Sequence, residues 1–176
     1  MFSTRTKSGE RTNGENLLGS RQSDGRFHLA LTGEEYYENN VRPALDWARL
    51  PGITVEKSPD AANDLYGYGT NRFAGGTGDG QNGVSAMEVA PLGSTLRAKK
   101  SWFFFDDAIV FLTSGITAAG GYPVETVVNQ WPLSNVAAPI VTGSNWSVAD
   151  NIGYYFPTAT AVKTSREART GTWSSL

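Results

Sequence analysis

The stretch Leu96-Arg97-Ala98-Lys99-Lys100-Ser101-Trp102-Phe103-Phe104-Phe105 constrains the fold more than any other. It starts amphipathic and ends in consecutive aromatics, then breaks at Asp106-Asp107 and resumes as Ala108-Ile109-Val110-Phe111-Leu112. Two runs rich in aromatic and β-branched residues, joined by a two-residue polar break, predict an antiparallel hairpin. Extended segments are also expected at 26–31, 53–55, 84–89, 123–130, 136–141, 145–148, 152–156 and 160–164. Short strands at this spacing, with turn residues between them, predict an all-β chain folded as an antiparallel β-sandwich. The 20 glycines and the 11% of aromatic residues agree with many tight turns between strands.

Helix is expected in one place at most. Glu34 to Trp47 has the best helical pattern, but Pro43 keeps it short, and Leu50-Pro51-Gly52 then forces a turn. Residues 1–25 read as irregular chain. Residues 58–83, rich in Gly, Asn and Asp, read as a long surface loop. That loop is no phosphate cradle, since it lacks a preceding strand and a following helix that opens with Lys-Ser or Lys-Thr.

Composition narrows the function classes. At 176 residues the chain fits one domain, and its formal net charge of −2 gives no grip on nucleic acid or on an acidic membrane. No apolar run is long enough to span a membrane, and the first residues lack the apolar core of a signal peptide. The absence of cysteine excludes disulfides, thiolate metal sites and cysteine nucleophiles. With His28 as the one histidine, a mechanism needing a histidine pair within the chain is excluded too.

A series of motifs then runs in order along the chain. Ser3-Thr4-Arg5 precedes Glu10-Arg11-Thr12-Asn13-Gly14-Glu15-Asn16-Leu17, and Asp24-Gly25 ends the loop after it. Arg49-Leu50-Pro51-Gly52-Ile53-Thr54 and Phe73-Ala74-Gly75-Gly76-Thr77 follow. Next come Lys99-Lys100-Ser101-Trp102-Phe103-Phe104-Phe105-Asp106-Asp107 with Ile109-Val110, and Val124-Glu125-Thr126-Val127-Val128-Asn129-Gln130. Ile152-Gly153-Tyr154-Tyr155-Phe156-Pro157 and Gly171-Thr172-Trp173-Ser174 complete the set. In this order the motifs resemble those of polysaccharide lyase family 8, which includes hyaluronate, chondroitin AC and xanthan lyases. The segment from Glu35-Tyr36-Tyr37 through Thr54 looks more like the chondroitin AC type.

The resemblance implies that residues 1–176 are the central β-sandwich domain, a super-sandwich of galactose mutarotase-like type. It also implies a catalytic α/α-toroid and a C-terminal domain outside these residues. Lyases of this family act on acidic, uronic-acid-containing polysaccharides by β-elimination. The resemblance implies that the toroid brings Asn, His, Tyr and Arg, and that a Glu of the sandwich completes the cluster. A carboxylate suits that role because it can orient a cationic side chain and favour its charged form. By position in the motif, Glu10 is the expected glutamate and Asn13 its polar neighbour. Glu15 and Asn16 come second, since Asn, Gly and Glu in a turn commonly bond their own backbone.

Other features have plainer readings. His28 is expected to be a partly buried strand residue, Trp102 to be core, and Asp106 and Asp107 to form a turn. Lys99 and Lys100 are expected on a solvated strand edge. Trp131 and Trp146 are open to either core packing or sugar stacking. Some family members hold calcium near the Pro-Gly turn. Here Asp46 and Glu56 are available with Ala48 between them, too few oxygen ligands for a tight site, so no cofactor is expected.

Where relatives often continue N-L-K-G-W or N-L-K-G-Y, this chain has Asn16-Leu17-Leu18-Gly19-Ser20. That departure bears on substrate preference and on activity. The expected partners are an acidic polysaccharide and the toroid of the same protein, and the expected location is secreted or periplasmic. An alternative is a non-catalytic carbohydrate-binding or scaffold sandwich. Its glycan affinity would depend on surface aromatics rather than on Glu10.

Overall fold

The computed structural model describes residues 14–58, 67–133, 137 and 139–176. Among them the regular structure is mostly strand: β1 (Thr54–Glu56), β2 (Ala74–Gly78), β3 (Gly83–Val89), β4 (Arg97–Phe104), β5 (Ile109–Thr117), β6 (Val124–Thr126), β7 (Ile140–Thr142), β8 (Trp146–Ala149) and β9 (Ile152–Tyr155). All pairings are antiparallel, in sheets of order β1-β6, β2-β3-β4-β5 and β7-β8-β9. The expected hairpin is β4–β5. Phe105 N–H donates to the Ala108 carbonyl at 2.9 Å, closing the turn at Asp106-Asp107.

The chain forms two compact units. One comprises Met1–Leu29, Asp46–Gln130 and Trp173–Leu176, and the other Ala30–Leu45 and Trp131–Thr172. The first holds the four-stranded sheet and the β1–β6 pair. Its core joins Val89, Leu96 and Ala98, with Met87, Ala118 and Val124 packed against them, so β6 lies over the β3–β4 face. Leu96 and Val89 are fully buried, each stabilising the fold by about 1.5–3 kcal/mol. The second unit holds the β7–β8–β9 meander. There Trp131 donates its indole N–H to Asp150 at 3.2 Å and meets the Tyr36 ring edge-on.

Strand β4 shows the alternation that fixes its register. Ala98, Lys100 and Trp102 face inward, while Arg97 and Lys99 face solvent. Around the Pro-Gly turn, Gln130 acts as a clamp. Its Oε1 accepts Asp46 N–H at 2.6 Å, and its Nε2 donates to the carbonyls of Asp46 and Arg49 at 3.3 and 3.2 Å.

Three segments depart from expectation: 26–31, 58–83 and 160–164. Residues 26–31 form no strand; Phe27 N–H donates instead to the Pro51 carbonyl at 3.0 Å. The one short helix expected after Glu34 is present, as a 3-10 turn (Glu38–Asn40) and one α-helical turn (Val41–Ala44), with Asn39 and Asn40 at left-handed φ of 54° and 56°. Within the expected loop 58–83, Ala74–Gly78 pairs with β3. A Cβ on Gly76 would stand 2.5 Å from the Val84 carbonyl, so only glycine permits this approach. Residues 160–164 form no strand.

Candidate functional site

Glu10 and Asn13 lie outside the described residues. The rest of their motif is placed. Gly14 takes the left-handed conformation at φ +76°, and Glu15 is exposed. Asn16 is buried and shapes the loop. Its Oδ1 accepts Leu18 N–H at 2.9 Å and its carbonyl accepts Gly19 N–H at 3.0 Å. A short 3-10 turn, Gly19–Arg21, follows, and Asp24 N–H donates to the Arg21 carbonyl at 3.1 Å. At the other flank Leu17 N–H donates to the Leu176 carbonyl at 2.5 Å.

This loop carries a buried ionic group, completed from β4. Arg21 Nη1 donates to Asp24 Oδ2 at 3.3 Å, with both side chains withdrawn from water. Lys100 rises from β4 with only 4% of its surface exposed and donates its ammonium to the Gly52 carbonyl. Burial pushes Asp24 up to about 6, outweighing the attraction of Arg21 and Lys100, and it pulls Lys100 down to about 8 against the attraction of Asp24. Arg21 Nε and Nη2 and Ser20 Oγ are buried without hydrogen-bond partners among the described residues.

Two glycines let the loop and the Pro-Gly turn close on this group. Gly25, at φ +85°, lies where a Cβ would stand 3.0 Å from Lys100 Cδ and 3.5 Å from both Met87 Sδ and Trp102 Cη2. Gly52, also at φ +85°, lies where a Cβ would run into the Phe27 ring. Phe27 in turn packs on Phe111 of β5, with ring centroids 4.4 Å apart. Loop, turn and sheet thus meet around one lysine.

Lys100 therefore corrects the expectation of a solvated strand edge. It belongs to an inner strand of the four-stranded sheet and faces inward, while Lys99 faces solvent. The signal was present: Ala98, Lys100 and Trp102 share one phase of the strand, and that phase is the apolar one. Arg21 was missed because no periodicity marks a loop. Trp102 is core as expected, Asp106 and Asp107 sit in an exposed turn, and His28 is partly buried in irregular chain. Trp146 is 41% exposed.

The two carboxylates near the Pro-Gly turn are already engaged. Asp46 accepts Ala48 N–H at 3.0 Å and pairs with Arg49 at 3.1 Å. Glu56 is buried and accepts from Ser94 Oγ at 2.9 Å and Thr95 Oγ1 at 3.1 Å. Among the described residues no group of three or more His, Asp or Glu side chains is placed to hold a metal ion.

Comparison with known proteins gives this geometry a context. The family model for the polysaccharide lyase family 8 super-sandwich domain matches residues 1–176. Chondroitinase-AC of Pedobacter heparinus is 40% identical over 192 residues, covering 98% of this chain and 26% of the relative. Xanthan lyase of a Bacillus species is 38% identical, covering 100% of this chain and 21% of the relative. The solved chondroitin AC lyase of Streptomyces coelicolor, in complex with chondroitin sulphate, superposes with a TM-score of 0.80 at 37% identity. That match covers 99% of this chain and 24% of the solved one. The chain spans about a quarter of the length of these relatives. Matched by the family model over its full length, the chain belongs to polysaccharide lyase family 8.

Proposed function

We propose that this chain is the central domain of a lyase that cleaves uronic-acid-containing glycans, of chondroitin or hyaluronan type, by β-elimination. The observation that carries the reading is the family match over residues 1–176, together with 40% identity to chondroitinase-AC. In this reaction the C5 proton of the uronic acid is removed and the C4–O bond breaks. The leaving oxygen takes a proton and a C4–C5 double bond remains in the product. The sugar carboxylate must be neutralised for C5 to lose its proton, a task for cationic or hydrogen-bonding side chains.

In this reading an α/α-toroid of the same protein brings the base, the acid and the neutralising groups. Glu10 and Asn13 complete the cleft from the sandwich side, Glu10 by fixing a cationic partner in one orientation and charge state. Glu15, exposed beside them in sequence, is the second choice, and Asn16 holds the loop. The reading assigns no cofactor, because Asp46 and Glu56 already hold other partners. The enzyme would work outside the cytoplasm, secreted or periplasmic, where such polymers are met.

The test is an assay of the toroid-bearing protein on chondroitin, hyaluronan and xanthan, following near-ultraviolet absorbance of the unsaturated uronic product. Product from at least one polymer is expected. Turnover by residues 1–176 alone, or none with the toroid present, contradicts the division of labour.

A further inference from the structure

A lysine inside a sheet is costly unless something specific requires it. Lys100 stands between Met87 and Thr113 on the neighbouring strands, in the inward row with Ala98 and Trp102. A methionine or leucine would fill the same space without desolvating a charge. What the ammonium adds is a set of directional attachments. It donates to the carbonyl of Gly52 and attracts the carboxylate of Asp24, while its stem supports Gly25. Asp24 and Gly25 end the loop that begins with the Asn13-Gly14-Glu15-Asn16 motif. Gly52 belongs to the turn that seats Phe27. One side chain of an inner strand thus reaches both loops.

We propose that Lys100 is a positioning residue for the lyase site, holding the Asn16–Gly25 loop and the Gly52 turn against β4. The inference rests on the reading of the chain as a lyase domain. Misplacing a catalytic group by about 1 Å can cost about 100-fold in rate, so a positioning residue shows itself in kcat.

Two variants of the toroid-bearing enzyme and one measurement on residues 1–176 test this. Lys100→Met should lower kcat about tenfold or more, with KM changed by no more than about twofold. In the chain alone, the same substitution should speed amide exchange at Gly19, Asp24 and Phe27 while the β3–β4 ladder stays protected. The Asp24→Asn/Lys100→Met double variant leaves no lysine–carboxylate pair to break. With Arg21 then left without its carboxylate, it should be no more stable than Lys100→Met and should keep the low kcat. Recovery of kcat together with stability, an unchanged kcat in Lys100→Met, or loss of protection across the whole sheet would each overturn the proposal. The exchange experiment needs no turnover. Absent lyase activity in the parent enzyme would therefore sink the functional reading while the exchange data still judged the role of Lys100.

Discussion

Arg21 Nη1 lies 3.3 Å from Asp24 Oδ2, both side chains almost wholly inside the protein. The pair belongs to the loop that follows the family motif, with Lys100 as a second cation nearby. Two cations thus share one carboxylate in a region with little water. Such an arrangement costs desolvation energy and returns geometry.

Stability should carry the signature of that cost. Asp24 moves from 3.8 to about 6, chiefly through desolvation, so the folded chain holds this proton more tightly than the unfolded chain does. Its contribution to stability is fully present below pH 3.8 and is lost as pH rises toward about 6. Asp24→Asn should therefore gain on the parent across that window in denaturant titrations. Parallel curves would contradict the assignment.

Lys100 gives the opposite slope at the alkaline end. It falls from 10.5 to about 8 through burial, so the unfolded chain binds more protons between those values and stability rises with pH there. Lys100→Met should abolish that rise, as read by denaturation between about pH 8 and 10.5.

Gly52 and Gly121, both at positive φ, separate backbone conformation from crowding. Gly52→Ala meets both a φ of +85° and the Phe27 ring, and should destabilise by roughly 3 kcal/mol. Gly121→Ala has a φ of +76° with nothing within 4 Å, and should cost roughly 1 kcal/mol. Thermal unfolding of both variants checks the ordering.

Thr95 joins three segments. Its hydroxyl donates to buried Glu56 and accepts the N–H groups of Ala119 and Gly120 at 2.9 and 3.0 Å. Thr95→Val should lose about 2 kcal/mol, whereas Thr95→Ser, which keeps the hydroxyl, should lose well under half of that. A Thr95→Val variant as stable as the parent in denaturant titrations would contradict the role of the hydroxyl.

How far the fold could be read in advance follows from what carries a local signal. The β4–β5 hairpin was legible because Trp102 to Phe105 and Ile109 to Leu112 flank a two-residue polar turn. Strand β2 was not, since three of the five residues of Ala74–Gly78 are glycine and too few side chains remain to alternate; its pairing with β3 is a tertiary fact. The supposed strand at 26–31 failed for the converse reason, as alternation there found no ladder partner. At the site, the motif pointed to the loop, but not to Lys100 beneath it. Charge in an inward phase was read as a solvated edge, because burial of a lysine depends on partners distant in sequence.

In the proposed function the sandwich lends Glu10 and Asn13 to a lyase cleft. Steady-state kinetics of Glu10→Gln and Asn13→Ala in the toroid-bearing enzyme, followed by formation of the unsaturated uronic product, tests it most directly. A fall in kcat/KM of about 100-fold is expected for Glu10→Gln and a smaller fall for Asn13→Ala, with melting temperatures unchanged. Parent-like kinetics in both variants would contradict it.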